Sequence, residues 1–197
     1  MFDFKYIGNN STLGENIISK MWLISSEWHK NTHRQNALSE NDGEGITPHK
    51  KTQTVPLIFD ETHKFLSFKY HERYSMFEKD LYYLINSILN PYYNTTGVLL
   101  RAMFVKLLGN SHIDPHVDLG QNMVVTHRVH IPIQTNPHCF MTVGETSKNL
   151  NQFEIWEINN TEKKHSVIND SNEERIHLIV DFLPTLLLEK YKKYEYL

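Results

Sequence analysis

The chain has 197 residues, with 20 Lys plus Arg against 23 Asp plus Glu, a formal net charge of −3, and 40% hydrophobic and 22% charged residues. That balance describes a folded globular protein and argues against a strongly basic grip on nucleic acid. A single cysteine, Cys139, excludes an internal disulfide and a CxxC zinc site; with no apolar run near the roughly 20 residues of a membrane helix and no signal-peptide pattern, a cytoplasmic location without membrane contact is expected.

In chain order, Thr12 to Trp28 predicts a helix, because Leu13, Ile17, Ile18, Met21, Trp22 and Ile24 recur at three- and four-residue steps. Ser11 or Thr12 is its expected N-cap. Residues 29–51 are polar and include Asn41-Asp42-Gly43-Glu44-Gly45, which predicts a long loop. Thr52 to Phe59 predicts a strand, at a sheet edge because Pro56 cannot donate to a ladder. Met76 to Leu89 repeats the helical spacing, and Asn90-Pro91 is expected to end it.

From Gly97 onward the pattern is short strands and turns: Val98–Leu108, Val124–Ile133, Cys139–Val143, Phe153–Ile158, His165–Ile168 and Arg175–Phe182. This spacing predicts an antiparallel sandwich or barrel. Leu186 to Tyr194 is expected to close the chain as a helix. The expected class is mainly β with α elements, in one domain over 1–197. Residues 1–96 would form a helix-rich support and substrate region, 97–184 the β core, and 185–197 the terminal helix.

Twelve histidines are present, and seven fall between positions 112 and 177. His116 and Asp118 form an His-x-Asp; on a strand, residues i and i+2 share a face and can meet one ion. His165, from another strand, would complete two histidines and one carboxylate with open positions, the facial set of non-haem iron(II) oxygenases. Arg175 follows ten residues later, and an arginine there can take a carboxylate by a bidentate pair. Arg128 and His130 add donors on one strand face. Asp114 is the competitor to Asp118. His177, two residues from Arg175, falls on the same strand face. His112, His127 and His138 are expected near the motif without ligating. Trp156 and Cys139 are expected to pack in the barrel.

These segments resemble one family. Pro115-His116-Val117-Asp118, Arg128-Val129-His130-Ile131-Pro132, Glu154 to Asn160, His165 to Asn169 and Arg175 to Phe182 follow the order and spacing of the aspartyl/asparaginyl β-hydroxylases. That family of Fe(II)/2-oxoglutarate dioxygenases also includes bacterial free-proline hydroxylases. The resemblance covers about 85 residues, roughly 98–182. It implies a double-stranded β-helix (a jelly-roll, cupin-like core). It implies Fe(II), 2-oxoglutarate and O2 as cofactors, with succinate and CO2 as coproducts. It carries over His116, Asp118 and His165 as iron ligands, Arg175 as partner of the distal 2-oxoglutarate carboxylate, and Arg128 and His130 as further cosubstrate contacts. The vertebrate-type protein hydroxylases have Gly in place of Asp118, whereas the small-molecule proline hydroxylases keep the carboxylate. Other departures are Asn159-Asn160 in place of an Asp-Asp pair and Val105 in place of a Ser.

The implied reaction is hydroxylation of an unactivated C–H in a free amino acid or related small molecule. The alternatives are an Asp, Asn or other side chain of a protein or peptide, and a metal-holding cupin-like barrel without activity. A nucleic-acid demethylase would carry a second Arg at 181, where this chain has Asp.

Overall fold

The computed structural model describes residues 2–28, 30 and 51–192, with the side chain of residue 192 excepted. Most of the expected 29–51 loop lies outside the described residues, as does Tyr194.

The strands are β1 Phe4–Asn9, β2 Thr52–Ile58, β3 Gly97–Leu107, β4 Ser111–His116, β5 His127–Gln134, β6 Cys139–Val143, β7 Thr146–Lys148, β8 Glu154–Ile158, β9 His165–Asn169 and β10 Arg175–Pro184. Six form one antiparallel sheet in the order β1-β8-β5-β10-β3-β2, and four form a second in the order β4-β9-β6-β7. From β3 to β6 and from β8 to β10 the chain alternates between the two sheets. This is the expected double-stranded β-helix.

The amino-terminal region contributes both edges of the larger sheet. β2 lies at one edge, as Pro56 required, and its register with β3 shifts just after that proline. β1, at the other edge, was not anticipated. Its six residues show no alternation of buried and exposed positions, so the period-2 signal is absent.

Helix α1 (Ser11–Met21) begins one residue earlier than expected: Asn10 is the N-cap, and its side chain accepts from the Leu13 N–H at 2.8 Å. A 3-10 stretch, Trp22–Glu27, continues it. Helix α2 (Tyr74–Tyr83) runs on through a π-helical turn, Leu84–Leu89, into α3 (Asn90–Tyr93). Asn90-Pro91 therefore does not end the helix. The wider π turn makes room for the proline ring, and left-handed Asn94 (φ 50°) ends the segment instead.

These helices cover the outer face of the larger sheet. Leu13, Ile17, Phe77, Leu81, Leu84 and Leu89 pack there with Phe104, Val129, Ile131, Leu178, Val180 and Phe182. Each such buried side chain contributes about 1.5–3 kcal/mol. Alternation then aims the intervening residues inward: Arg128 and His130 on β5, and Arg175, His177, Ile179 and Asp181 on β10. The strand expected over Val124–Ile133 starts only at His127. Residues 121–125 form α4 (Gln121–Val125), which follows Gly120 at φ 115° and buries Met123 above Arg128. Val124 is apolar but exposed, which is why the pattern misled there. The closing helix is α5 (Thr185–Lys192).

Candidate active site

Cross-strand register stacks the inward residues in rows. Arg101 on β3, Asp181 on β10 and Arg128 on β5 are direct neighbours, followed by the row Met103, Ile179 and His130. Further along β10 come His177 and then Arg175. On the smaller sheet His116 and His165 pair directly across β4 and β9, with ring centroids 4.2 Å apart.

Asp118 reaches this pair from outside the strand. β4 stops at His116, so the two side chains do not meet through the i, i+2 geometry of a strand. The Asp118 N–H instead donates to the Asn160 carbonyl at 2.8 Å, which turns the chain back over the two histidines. Its carboxylate lies 3.9 Å from His116 Nε2 and 3.7 Å from His165 Nε2. The three donor atoms all fall within 4.8 Å of one another, close enough to share one ion.

His116 Nδ1 donates to the Asp114 carbonyl at 2.7 Å, which orients the ring with Nε2 toward Asp118. Asp114 thus contributes its main chain, not its carboxylate. Burial pushes the His165 imidazole down to about 4 against the opposing pull of Asp118, so it is neutral at neutral pH. Neutral imidazoles are what a metal requires. Two nitrogens and one carboxylate, with the rest of the surroundings open to exogenous ligands, fit iron(II).

Arg128 stands on the larger sheet beside Asp118. Its Nε and Nη2 donate to Asp181 at 2.8 and 2.9 Å, Nη1 donates to Asp118, and Nη2 also reaches Met123 Sδ. Burial disfavours its charge, but Asp118 and Asp181 outweigh that and hold the guanidinium charged. Arg101 Nε lies 3.5 Å from the same fully buried Asp181. The Arg128 expected at the cosubstrate therefore has its donors directed at two carboxylates.

Arg175 contrasts with it. It is 2% exposed, and among the described residues no carboxylate pairs with it. Among the described residues its one side-chain hydrogen-bond contact is Nη2 to His177 Nδ1 at 2.7 Å. Burial alone pulls its guanidinium down to about 10. His177 Nδ1, the acceptor from Arg175, also lies 3.3 Å from His130 Nδ1. Burial, and then the Arg175 charge, hold both imidazoles well below the usual histidine range. His130 Nε2 is buried with no hydrogen-bond partner. Val105, Ile113, Met141, Val167 and Ile179 wall the space between the triad and Arg175, which is about 30 Å³. Among the described residues, a buried cation lacking a carboxylate and a buried nitrogen lacking a partner both call for an anionic, hydrogen-bonding ligand, and the chemistry of 2-oxoglutarate matches that pair of donors.

The other singled-out residues lie apart. His127 pairs with Glu157 at 2.8 Å and stacks on Tyr93, on the helix side of β5. His112 is exposed beside Asp114, and His138 binds Asn136 through its main chain. Trp156 packs against Phe4 and Tyr6 of β1. Cys139 is buried in the smaller core. Sequence reasoning missed Asn160 as a partner of Asp118 and Asp181 as the partner of Arg128. An acid or amide with no motif of its own gives no signal until its neighbours are known.

A family model described as aspartyl/asparaginyl beta-hydroxylase matches residues 64–184, extending further toward the amino terminus than the resemblance read from the motifs. No curated protein sequence matches the chain. Among solved structures, a prolyl hydroxylase from Trichoplax adhaerens in complex with a hypoxia inducible factor peptide fragment superposes with a TM-score of 0.59 at 11% identity, over 93% of this chain and 84% of that one. An oxidoreductase of the 2OG-Fe(II) oxygenase family from Burkholderia pseudomallei gives 0.55 at 14% identity; 67% of this chain is covered but only 66% of that one. HygX from Streptomyces hygroscopicus, with nickel, 2-oxoglutarate and hygromycin B bound, gives 0.52 at 11% identity over 92% and 82%. No helix among the described residues is long and apolar enough to cross a membrane. The chain belongs to the aspartyl/asparaginyl β-hydroxylase family of Fe(II)- and 2-oxoglutarate-dependent dioxygenases.

Proposed function

We propose that this enzyme hydroxylates an unactivated C–H of a free amino acid or related small molecule, with His116, Asp118 and His165 as its iron ligands. The observation that carries this reading is Arg175, a buried cation without a carboxylate among the described residues, separated from the triad by apolar walls. Bound Fe(II) with 2-oxoglutarate supplies the oxidising chemistry, with O2 consumed and succinate and CO2 released. The protein's own residues bind, orient and keep water out. Arg175 takes the far carboxylate of the diacid, and His130 Nε2 supplies a second polar contact. Val105, Ile113 and Ile179 strip water from the carbon chain between.

One feature favours a small substrate: Asp118 keeps the carboxylate found in the small-molecule proline hydroxylases.

The test incubates the Fe(II)-loaded protein with labelled 2-oxoglutarate and separate pools of free amino acids and peptides, and measures CO2 and succinate. Turnover stimulated by the amino-acid pool and abolished by His165→Ala is the expected result. Stimulation by peptides alone overturns the small-molecule reading, and turnover indifferent to His165→Ala overturns the ligand set.

A further inference from the structure

We propose that Asn160 is the positioning residue for Asp118, the ligand that no strand holds. This rests on the ligand set proposed above. Val117, Asp118 and Leu119 lie beyond the end of β4, so no ladder bond fixes them. Asn160 supplies two bonds in their place. Its carbonyl accepts the Asp118 N–H at 2.8 Å, and its Nδ2 donates to Asp118 Oδ2 at 2.9 Å. Both peptide and carboxylate are thus fixed by one residue, which sets the side-chain torsions between them.

Asn160 is itself a fixed point. It is 4% exposed and sits between β8 and His165. Its neighbour Asn159 pins that loop: the Asn159 N–H donates to the Asp3 carbonyl at 3.1 Å and its Nδ2 to the Phe2 carbonyl at 3.2 Å and Glu162 at 2.9 Å. The segment that presents His165 is therefore tied to the segment that presents Asp118.

Beside Asp118 in this chain, the Asn160 side chain is a neutral donor. Arg128 also bonds Asp118 Oδ2, so the carboxylate sits between two donors on different elements. With the amide gone, the donor on the β8 side of the carboxylate is lost, while the Arg128 guanidinium on the larger sheet remains. A carboxylate at position 160 would do worse, because it would set a like charge within about 3 Å of Asp118 in a buried site. Outer partners of ligating carboxylates typically carry roughly 10- to 100-fold in metal affinity.

The experiment titrates the full-length protein with Co(II), which reports through its visible d–d absorption and needs no turnover. Asn160→Leu and the isosteric Asn160→Asp are each measured alone and in the Asp118→Ala background, with circular dichroism of the metal-free proteins as a check on folding. Both changes are expected to weaken Co(II) binding about 10- to 100-fold when Asp118 is present, and less than about 2-fold in the Asp118→Ala background. The absorption band should change shape in Asn160→Leu as the third donor shifts. Equal losses in both backgrounds, or no loss in the first, overturn the role of Asn160. A Co(II) affinity and spectrum unmoved by Asp118→Ala itself would instead overturn the ligand set. If Asn160→Leu fails to fold, Asn160→Asp, which keeps the volume, decides alone.

Discussion

The two ends of the pocket are held by different scaffolds. Arg175 and His177 sit at the start of β10, a central strand of the larger sheet that pairs with β3 from Arg175 and with β5 from Ile176, and both are 2% exposed. At the other end, two of the proposed ligands face each other across a strand pair, but the third stands on a segment outside any sheet, with 12% of its side chain exposed. The anion end is thus fixed by backbone ladders. The metal end depends on side-chain contacts, Asn160 and Arg128 above all. On the proposed assignment, such a site keeps its cosubstrate anchor rigid and leaves its metal geometry open to adjustment by single residues.

The sharpest break in this comparison is Arg175→Leu. The 2-oxoglutarate KM should rise by roughly two to three orders of magnitude, since loss of one partner of a buried charge pair costs about 2–5 kcal/mol. Denaturation of the ligand-free protein should show unchanged stability or a gain of up to about 2 kcal/mol, because an uncompensated buried charge has been removed. A large loss of stability would mean that Arg175 supports the fold rather than a ligand.

Arg128→Leu should behave in the opposite way. It leaves the fully buried Asp181 with only Arg101, at 3.5 Å, and should cost about 3–5 kcal/mol of stability. Asp181→Asn added to it should recover at least half. A variant as stable as the parent would show that the pair is not the brace it resembles.

Acid pH acts on both ends together. Burial keeps His130, His165 and His177 neutral in the fold, with folded pKa values below the unfolded value near 6.5. Below that pH the unfolded chain takes up protons that the folded chain refuses, so stability falls as pH falls. For His165, whose folded value is about 4, the loss between pH 6.5 and 4 is about 3 kcal/mol. Denaturation midpoints across that range should drop steadily, and a flat profile would mean that these imidazoles are charged in the fold. The smallest effect belongs to His127→Gln. His127 adjoins Arg128 in sequence but faces the helices, so Co(II) and 2-oxoglutarate affinities should stay within about 2-fold.

The chemistry was more legible than the geometry that assembles it. His116, His165 and Arg175 follow the order the motifs suggested, and the structure brings His116 and Asp118 together with His165. The helix end at Asn90-Pro91 was misread because a π turn upstream absorbs the proline, and such a turn leaves no composition signal. β1 was missed because an edge strand with both faces half-covered has no period. The sequence suggests Arg128 as a cosubstrate contact but carries no mark that Asp181, 53 positions later, pairs with it.

By itself the sequence determined the fold class and the candidate donors. Strand periodicity and the types of residue at 116, 118, 165 and 175 are local properties, written within a few positions of each residue. Only the tertiary structure decided which donors are engaged. Whether a buried arginine has a carboxylate, and whether an aspartate beyond a strand end is held, depends on contacts across 42 to 53 positions of chain, which exist only once the two sheets have closed on each other.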